Sequence, residues 1–141
     1  RYTGDEPFAS PDEARLFVEN YDHYQRYGYG RWAVINKASD QFIGWCGLKY
    51  TPAIKESDLG FRFFKSQWNR GYATESAIAC LQYGFKQLLL PRIVGRAMKE
   101  NPASIAVLKK IGMSYLQAIE LGDQPAALYY CESPSILVSL A

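Results

Sequence analysis

A mixed α/β fold, with helices layered on a largely antiparallel sheet, is predicted by three observations. Short β-branched and aromatic runs ("RWAVIN", "FIGWCGLKY", "DLGFRFFKS") follow one another through brief polar or Pro-containing connections. Later segments carry apolar residues at helical spacing. The chain has 141 residues, 48% hydrophobic and 21% charged, enough for one domain with a real core and no second one.

The elements follow in order. "SPDEARLFVENYDHYQRYG" opens with Ser10 as N-cap, Pro11 at the first helical position and acidic Asp12 and Glu13 in the first turn, which predicts one helix ending near Gly28. "RWAVIN" and "FIGWCGLKY", joined by "KASDQ", suit an antiparallel hairpin. "DLGFRFFKS" is a third strand in which Phe61 and Phe63 share a face and Arg62 points the other way. From Gly71 to Leu88, Ala73, Ala77, Cys80, Leu81, Gly84, Phe85 and Leu88 recur at helical spacing. "RIVGRAMK" is a fourth strand. Asn101-Pro102 opens a short helix that stops at Gly112, and "MSYLQAIE" and "AALYYCE" are the last two strands.

Composition excludes several function classes. No apolar run is long enough to cross a bilayer, and a net charge of +2 is too small to argue for nucleic acid. Cys46, Cys80 and Cys131 are odd in number, widely spaced and set among apolar residues. They read as reduced thiols of a cytoplasmic protein, neither a disulfide framework nor a metal site. No secretory signal is visible, and an opening Arg1 in place of Met leaves a longer N-terminus open.

"QWNRGYATESA" sets Gly71 between the third strand and a helix entrance, where backbone N–H groups converge into an anion site. Trp68 to Ala73 resembles the cofactor signature of the GNAT superfamily of acetyl-CoA-dependent N-acetyltransferases: Gln or Arg, two variable residues, Gly, one variable residue, Gly or Ala. Trp68 departs from the first position; the last four fit. "GWCGL", "DLGFRFFKSQWNRGYATESA" and "NPASIAVLKKIGM", in that order, look like the RimJ/RimL-type branch, and the likeness runs from Trp32 to about Tyr130.

The resemblance implies a GNAT-like sheet splayed at its centre with helices on both faces. It implies acetyl-CoA (CoA) as cofactor, its pantetheine arm beside the strand of Phe61, Phe63 and Phe64. Its pyrophosphate would lie on backbone N–H groups of Asn69, Arg70, Gly71, Tyr72, Ala73 and Thr74. A backbone N–H near Phe63 or Phe64 would hold the oxyanion of a direct transfer to a peptide or small-molecule amine, in a monomer or homodimer with no nucleic-acid or membrane partner. Residues 1–141 then form a single N-acetyltransferase domain. The family's usual first strand and helix have no counterpart in it, which is expected to leave an exposed sheet edge or an incomplete acceptor site.

Individual side chains carry two readings each. Asn101 contacts the cofactor arm in the family, and it is also an ordinary N-cap before Pro102. Ser104 sits where relatives have a serine proposed to protonate the CoA thiolate, and it is also a plain helix serine. The tyrosine acid of many GNAT enzymes falls on Leu108 and is absent. Asp58 stands where relatives carry a candidate base, with Glu56 as competitor, and a solvated carboxylate is the simpler reading. Tyr21, Tyr24, Tyr27 and Tyr29 with His23 and Arg26 form either an aromatic lip over the acceptor or rings packed on the sheet. Lys109 and Lys110 suit a helix C-terminus and could also reach the CoA 3′-phosphate. The rival to an enzyme is a non-catalytic acyl-CoA-binding or regulatory module.

Overall fold

The computed structural model describes residues 9–134. α1 (Pro11–Glu19) is closed by a reciprocal cap: Glu13 N–H donates to Ser10 Oγ at 3.1 Å and Ala9 N–H donates to Glu13 Oε2 at 2.6 Å. The single first helix expected from sequence is two. α1 stops at Asn20, and α2 (His23–Tyr27) begins after Asp22 and ends on Gly28, whose φ of +81° favours glycine. The aromatic residues of the second half dock α2 on the sheet. His23 Nε2 lies 3.1 Å from Tyr50 O, and the Tyr27 ring meets Tyr50 edge-on.

Six strands form one sheet: β1 (Arg31–Asn36), β2 (Gln41–Thr51), β3 (Glu56–Phe63), β4 (Arg92–Met98), β5 (Ser114–Leu121) and β6 (Gln124–Glu132), in the order β1-β2-β3-β4-β6-β5. Every neighbouring pair is antiparallel except β3 and β4, which run parallel and share only Asp58↔Val94 and Leu59↔Gly95. α3 (Tyr72–Lys86) joins those two strands, and α4 (Pro102–Lys110) follows β4.

Residues paired across strands share a face, and faces alternate along each strand. Cys46, Leu48, Leu59, Ile93, Ala97, Ala127 and Tyr129 fall on one face and form the core with Ala77, Cys80 and Leu81 of α3 and Leu108 of α4. Glycines set the helix distances. A Cβ on Gly84 would meet Ile93 Cδ1 at 2.7 Å, and one on Gly95 would meet Leu108 Cδ2 at 2.8 Å. Of the helices expected on both faces, the two whose contacts fix a face, α3 and α4, share this one. The opposite face carries Arg31, Trp45, Glu56, Asp58, Gly60, Arg62 and Arg96 beside buried Val94, Met98 and Leu128.

Candidate active site

The site begins where β3 and β4 stop pairing. Phe64 N–H donates to Ile43 O at 3.1 Å, and antiparallel ladders alternate. Arg62 and Gly60 therefore aim their backbone groups at β2, and Phe61 and Phe63 aim theirs at β4. Beyond Leu59 β4 has diverged, so Phe61 N–H and C=O and Phe63 N–H face a cleft. Phe63 O is already used, because Trp68 Nε1 donates to it at 3.0 Å. The residue that departs from the family signature thus closes one carbonyl of the cleft edge. Phe64 offers no open backbone group: its N–H is bonded to Ile43 and its O accepts from Gln67 N–H at 2.8 Å. Of the two oxyanion donors expected from sequence, only Phe63 N–H points into the cleft.

Because β3 and β4 are parallel, the helices that follow them start at the same end of the sheet, outside the strands' carboxyl ends. Asn69 (φ +62°) and Gly71 (φ +81°) turn the chain from the 3₁₀ turn Lys65–Gln67 into α3. Gly71 precedes the helix without any side-chain cap, and the first intrahelical bond runs from Glu75 N–H to Gly71 O at 3.0 Å. The N–H groups of Tyr72, Ala73 and Thr74 are left for a ligand or water. A Cβ on Gly71 would meet nothing within 4 Å, so the approach to these donors is open. The Tyr72 side chain serves the framework, its hydroxyl accepting from Asn36 Nδ2 at 3.1 Å. Arg70 is exposed beside the same turn.

The second helix start joins Asn101 to Ser104. Ser104 N–H donates to Asn101 Oδ1 at 3.2 Å, and Asn101 Nδ2 donates to Ser104 Oγ at 2.8 Å. Asn101 is therefore the N-cap of α4, and it also fixes the serine rotamer with the Ser104 proton left to donate elsewhere. Leu108 lies in the core, 2% exposed, as a residue with no part in proton transfer would. Lys109 and Lys110 occupy the last turn of α4 and are exposed.

Asp58 sits on the opposite face and is not a solvated carboxylate. Arg96 of β4 donates one guanidinium N–H to Asp58 Oδ2 and another to Glu56 Oε2, the latter at 2.6 Å. Burial pushes the Asp58 pKa up; the charges of Arg96 and Arg31 and the Arg96 hydrogen bond oppose that without cancelling it. Arg96 is held charged: burial works against its cation, but the hydrogen bonds and charges of Glu56 and Asp58 outweigh it. The tyrosines differ in burial. Tyr29 is buried with its hydroxyl 2.7 Å from Ser57 Oγ, Tyr27 packs on Tyr50, and Tyr24 is 41% exposed. Cys46 and Cys80 lie side by side in the core, Sγ to Sγ 3.6 Å, and Cys131 is half-buried.

Over residues 1–114 the chain matches the Acetyltransferase (GNAT) domain. It belongs to that family. YkkB of Bacillus subtilis is 33% identical over 112 residues, 78% of this chain and 65% of that protein. The FsC-acetyl coenzyme A-N(2)-transacetylase of Aspergillus fumigatus is 31% identical over 98 residues, 64% of this chain and 41% of that protein. The crystal structure of a GNAT-family acetyltransferase from Bacillus anthracis superposes with a TM-score of 0.78 at 27% identity, covering 94% of this chain and 80% of that one. The GNAT domain here spans less than two thirds of the length of these two sequence relatives. Among its described residues no helix is long and apolar enough to cross a membrane.

Arg96 is the residue of this GNAT domain that the sequence did not mark. Its partners lie 38 and 40 positions away on a parallel neighbour, and no local pattern encodes that pairing. Arg96→Met leaves Glu56 and Asp58 without their cation. The folded variant then holds protons at a pH where the unfolded chain has released them, so its stability falls as pH rises. Chemical denaturation from pH 4.5 to pH 8 is expected to show a deficit against wild type that grows with pH. A deficit that shrinks with rising pH would contradict the ion-pair assignment.

Proposed function

We propose that this GNAT domain is an N-acetyltransferase of RimJ/RimL type that transfers the acetyl group of acetyl-CoA directly to the primary amine of a peptide N-terminus or small molecule. The observation that carries the reading is the cleft between β3 and β4, at whose carboxyl end stand an uncapped helix start at Gly71 and the Asn101–Ser104 pair.

The residues present fit the group. Open amides on Phe61 and Phe63 suit the amide-rich pantetheine arm, which would add to the edge of β3 as a further strand does. The free N–H groups of Tyr72, Ala73 and Thr74, the dipole of α3 and the turn through Asn69, Arg70 and Gly71 suit a pyrophosphate. Acetyl-CoA supplies an activated acyl carbon: attack by the neutral amine forms the C–N bond and breaks the C–S bond.

The protein's own groups orient the reaction and move two protons. Phe63 N–H is the donor aimed where the carbonyl oxygen becomes an oxyanion. Asp58, with Oδ2 held by Arg96, keeps Oδ1 to accept the amine proton directly or through water, and burial lifts its pKa toward the range useful to a base. Ser104, accepting from Asn101, is left with a hydroxyl proton for the departing sulfur. No covalent enzyme intermediate is invoked, since Cys46 and Cys80 are buried in the core. The second reading, a module that binds acyl-CoA without turnover, uses the same cleft and is separated from the enzyme by the release of free thiol.

Two substitutions test the roles. Gly71→Val places a branched side chain at φ +81° over the free N–H groups, so CoA affinity measured by calorimetry should fall at least about tenfold while the fold largely survives. Wild-type affinity in this variant would remove the phosphate assignment. Ser104→Ala should lower kcat by roughly 10- to 1,000-fold with CoA binding nearly intact, the pattern of an interaction made in the transition state. An unchanged kcat with a good acceptor would leave the serine a structural residue.

A further inference from the structure

Among the described residues, one buried side-chain nitrogen has no hydrogen-bond partner: Nε of Arg31. A buried donor left unsatisfied calls for a physical explanation. Arg31 is the first residue of β1 and pairs with Gly47, which pairs in turn with Gly60 of β3. All three lie on the face that carries Asp58. Gly47 is required there, and Gly60 leaves room for its neighbours. A Cβ on Gly47 would meet Gly30 O and Arg31 Cα at 2.4 Å, and one on Gly60 would meet the Trp45 ring at 3.3 Å with Arg31 Nη2 at 3.9 Å. Gly47 lets the β1 backbone approach β2 closely, and the Arg31 side chain crosses toward β3, its Cζ 4.4 Å from the Trp45 ring centroid and its Nη2 beside Gly60.

The result is a bipolar patch on the acceptor side of the cleft. At one end stands Asp58, next to the point where the strands part. At the other stands the Arg31 guanidinium over Gly60, roughly 7 Å along β3 from Asp58 at about 3.4 Å per residue. Arg31 has no carboxylate within salt-bridge distance among the described residues, whereas Arg96 is engaged with both Glu56 and Asp58. The Arg31 end is thus the one without a salt bridge, although its charge is felt at Asp58. Lys49, paired with Asp58, adds to the positive field of this face.

Resting on the transferase reading above, the geometry points to an acceptor that is itself bipolar: an α-amino acid, or a compound keeping its amine and carboxylate that close. Its carboxylate pairs with Arg31 on the Trp45 platform, and its amine reaches Asp58 and the acyl carbon at the cleft. A planar guanidinium with open N–H groups matches a carboxylate in two-point geometry. A di- or polyamine would bring a second cation against Arg31 and Lys49 and is disfavoured.

The test uses the whole chain with acetyl-CoA and follows free thiol. Acceptors are offered in matched sets of L-phenylalanine, L-phenylalaninamide and phenethylamine, with the leucine-derived trio and putrescine, compared at equal concentrations of neutral amine. The expected result is a kcat/KM for the amino acid at least about tenfold above its amide and its decarboxylated amine. Arg31→Gln should abolish that ratio by raising KM for the amino acid, with KM for acetyl-CoA unchanged, and Arg31→Lys should restore part of it. Equal or better use of the amides or of putrescine, or a ratio that survives in Arg31→Gln, overturns the inference. Should no acceptor release thiol, calorimetry on the CoA-saturated protein decides. Failure of every amino acid to bind overturns this inference alone, and failure of CoA itself to bind overturns the transferase reading as well.

Discussion

β3 and β4 share two residue pairs and then part, and the arrangement of the site depends on that divergence. Had the strands stayed paired, Phe61 and Phe63 would have spent their backbone groups on β4. Because they part, a row of amides in the middle of a sheet is left for a partner from outside the chain. Leaving such groups unmade when desolvated costs about 1–3 kcal/mol each, so a ligand that supplies matching amides gains what β4 gives up. At the vertex Arg96 reaches from β4 to Asp58 and Glu56. One guanidinium thus ties both carboxylates to β4 beside the opening of the cleft.

The two helix starts follow from the same geometry. A parallel pair must be joined by a crossover, here α3, and each strand delivers the helix after it to the same end. That brings the uncapped N–H groups after Gly71 and the Asn101–Ser104 pair to the mouth of the cleft. The two starts are chemically different. One has no side-chain cap and suits a charged oxygen. The other is closed by its own asparagine, which leaves the Ser104 hydroxyl proton uncommitted.

Much of this was legible in the residues. Every strand appears within a few positions of where β-branched and aromatic runs placed it, and the Gly71 entrance was readable because glycine at φ > 0 ahead of an apolar helical pattern has few meanings. The break between α1 and α2 was not readable. Its aromatic spacing continues through Asn20–Asp22, and only contact with Tyr50 and Arg31 shows the chain turning there. Asp58 read as solvated because strand entrances usually are; its burial depends on a partner from a parallel strand. Arg31 and Trp45 were invisible as a pair for the same reason, since their stacking needs the Gly47 and Gly60 register that only the folded sheet defines.

Amide hydrogen exchange, read residue by residue with and without saturating CoA, tests the central claim most directly. In the free protein Phe61 and Phe63 should exchange faster than Arg62, whose amide faces β2. CoA should slow Phe61, Phe63 and Tyr72 to Thr74 and leave Arg62 unchanged. Phe61 and Phe63 amides as protected as Arg62 without ligand, or unmoved by saturating CoA, would contradict a cleft built from the parting of β3 and β4.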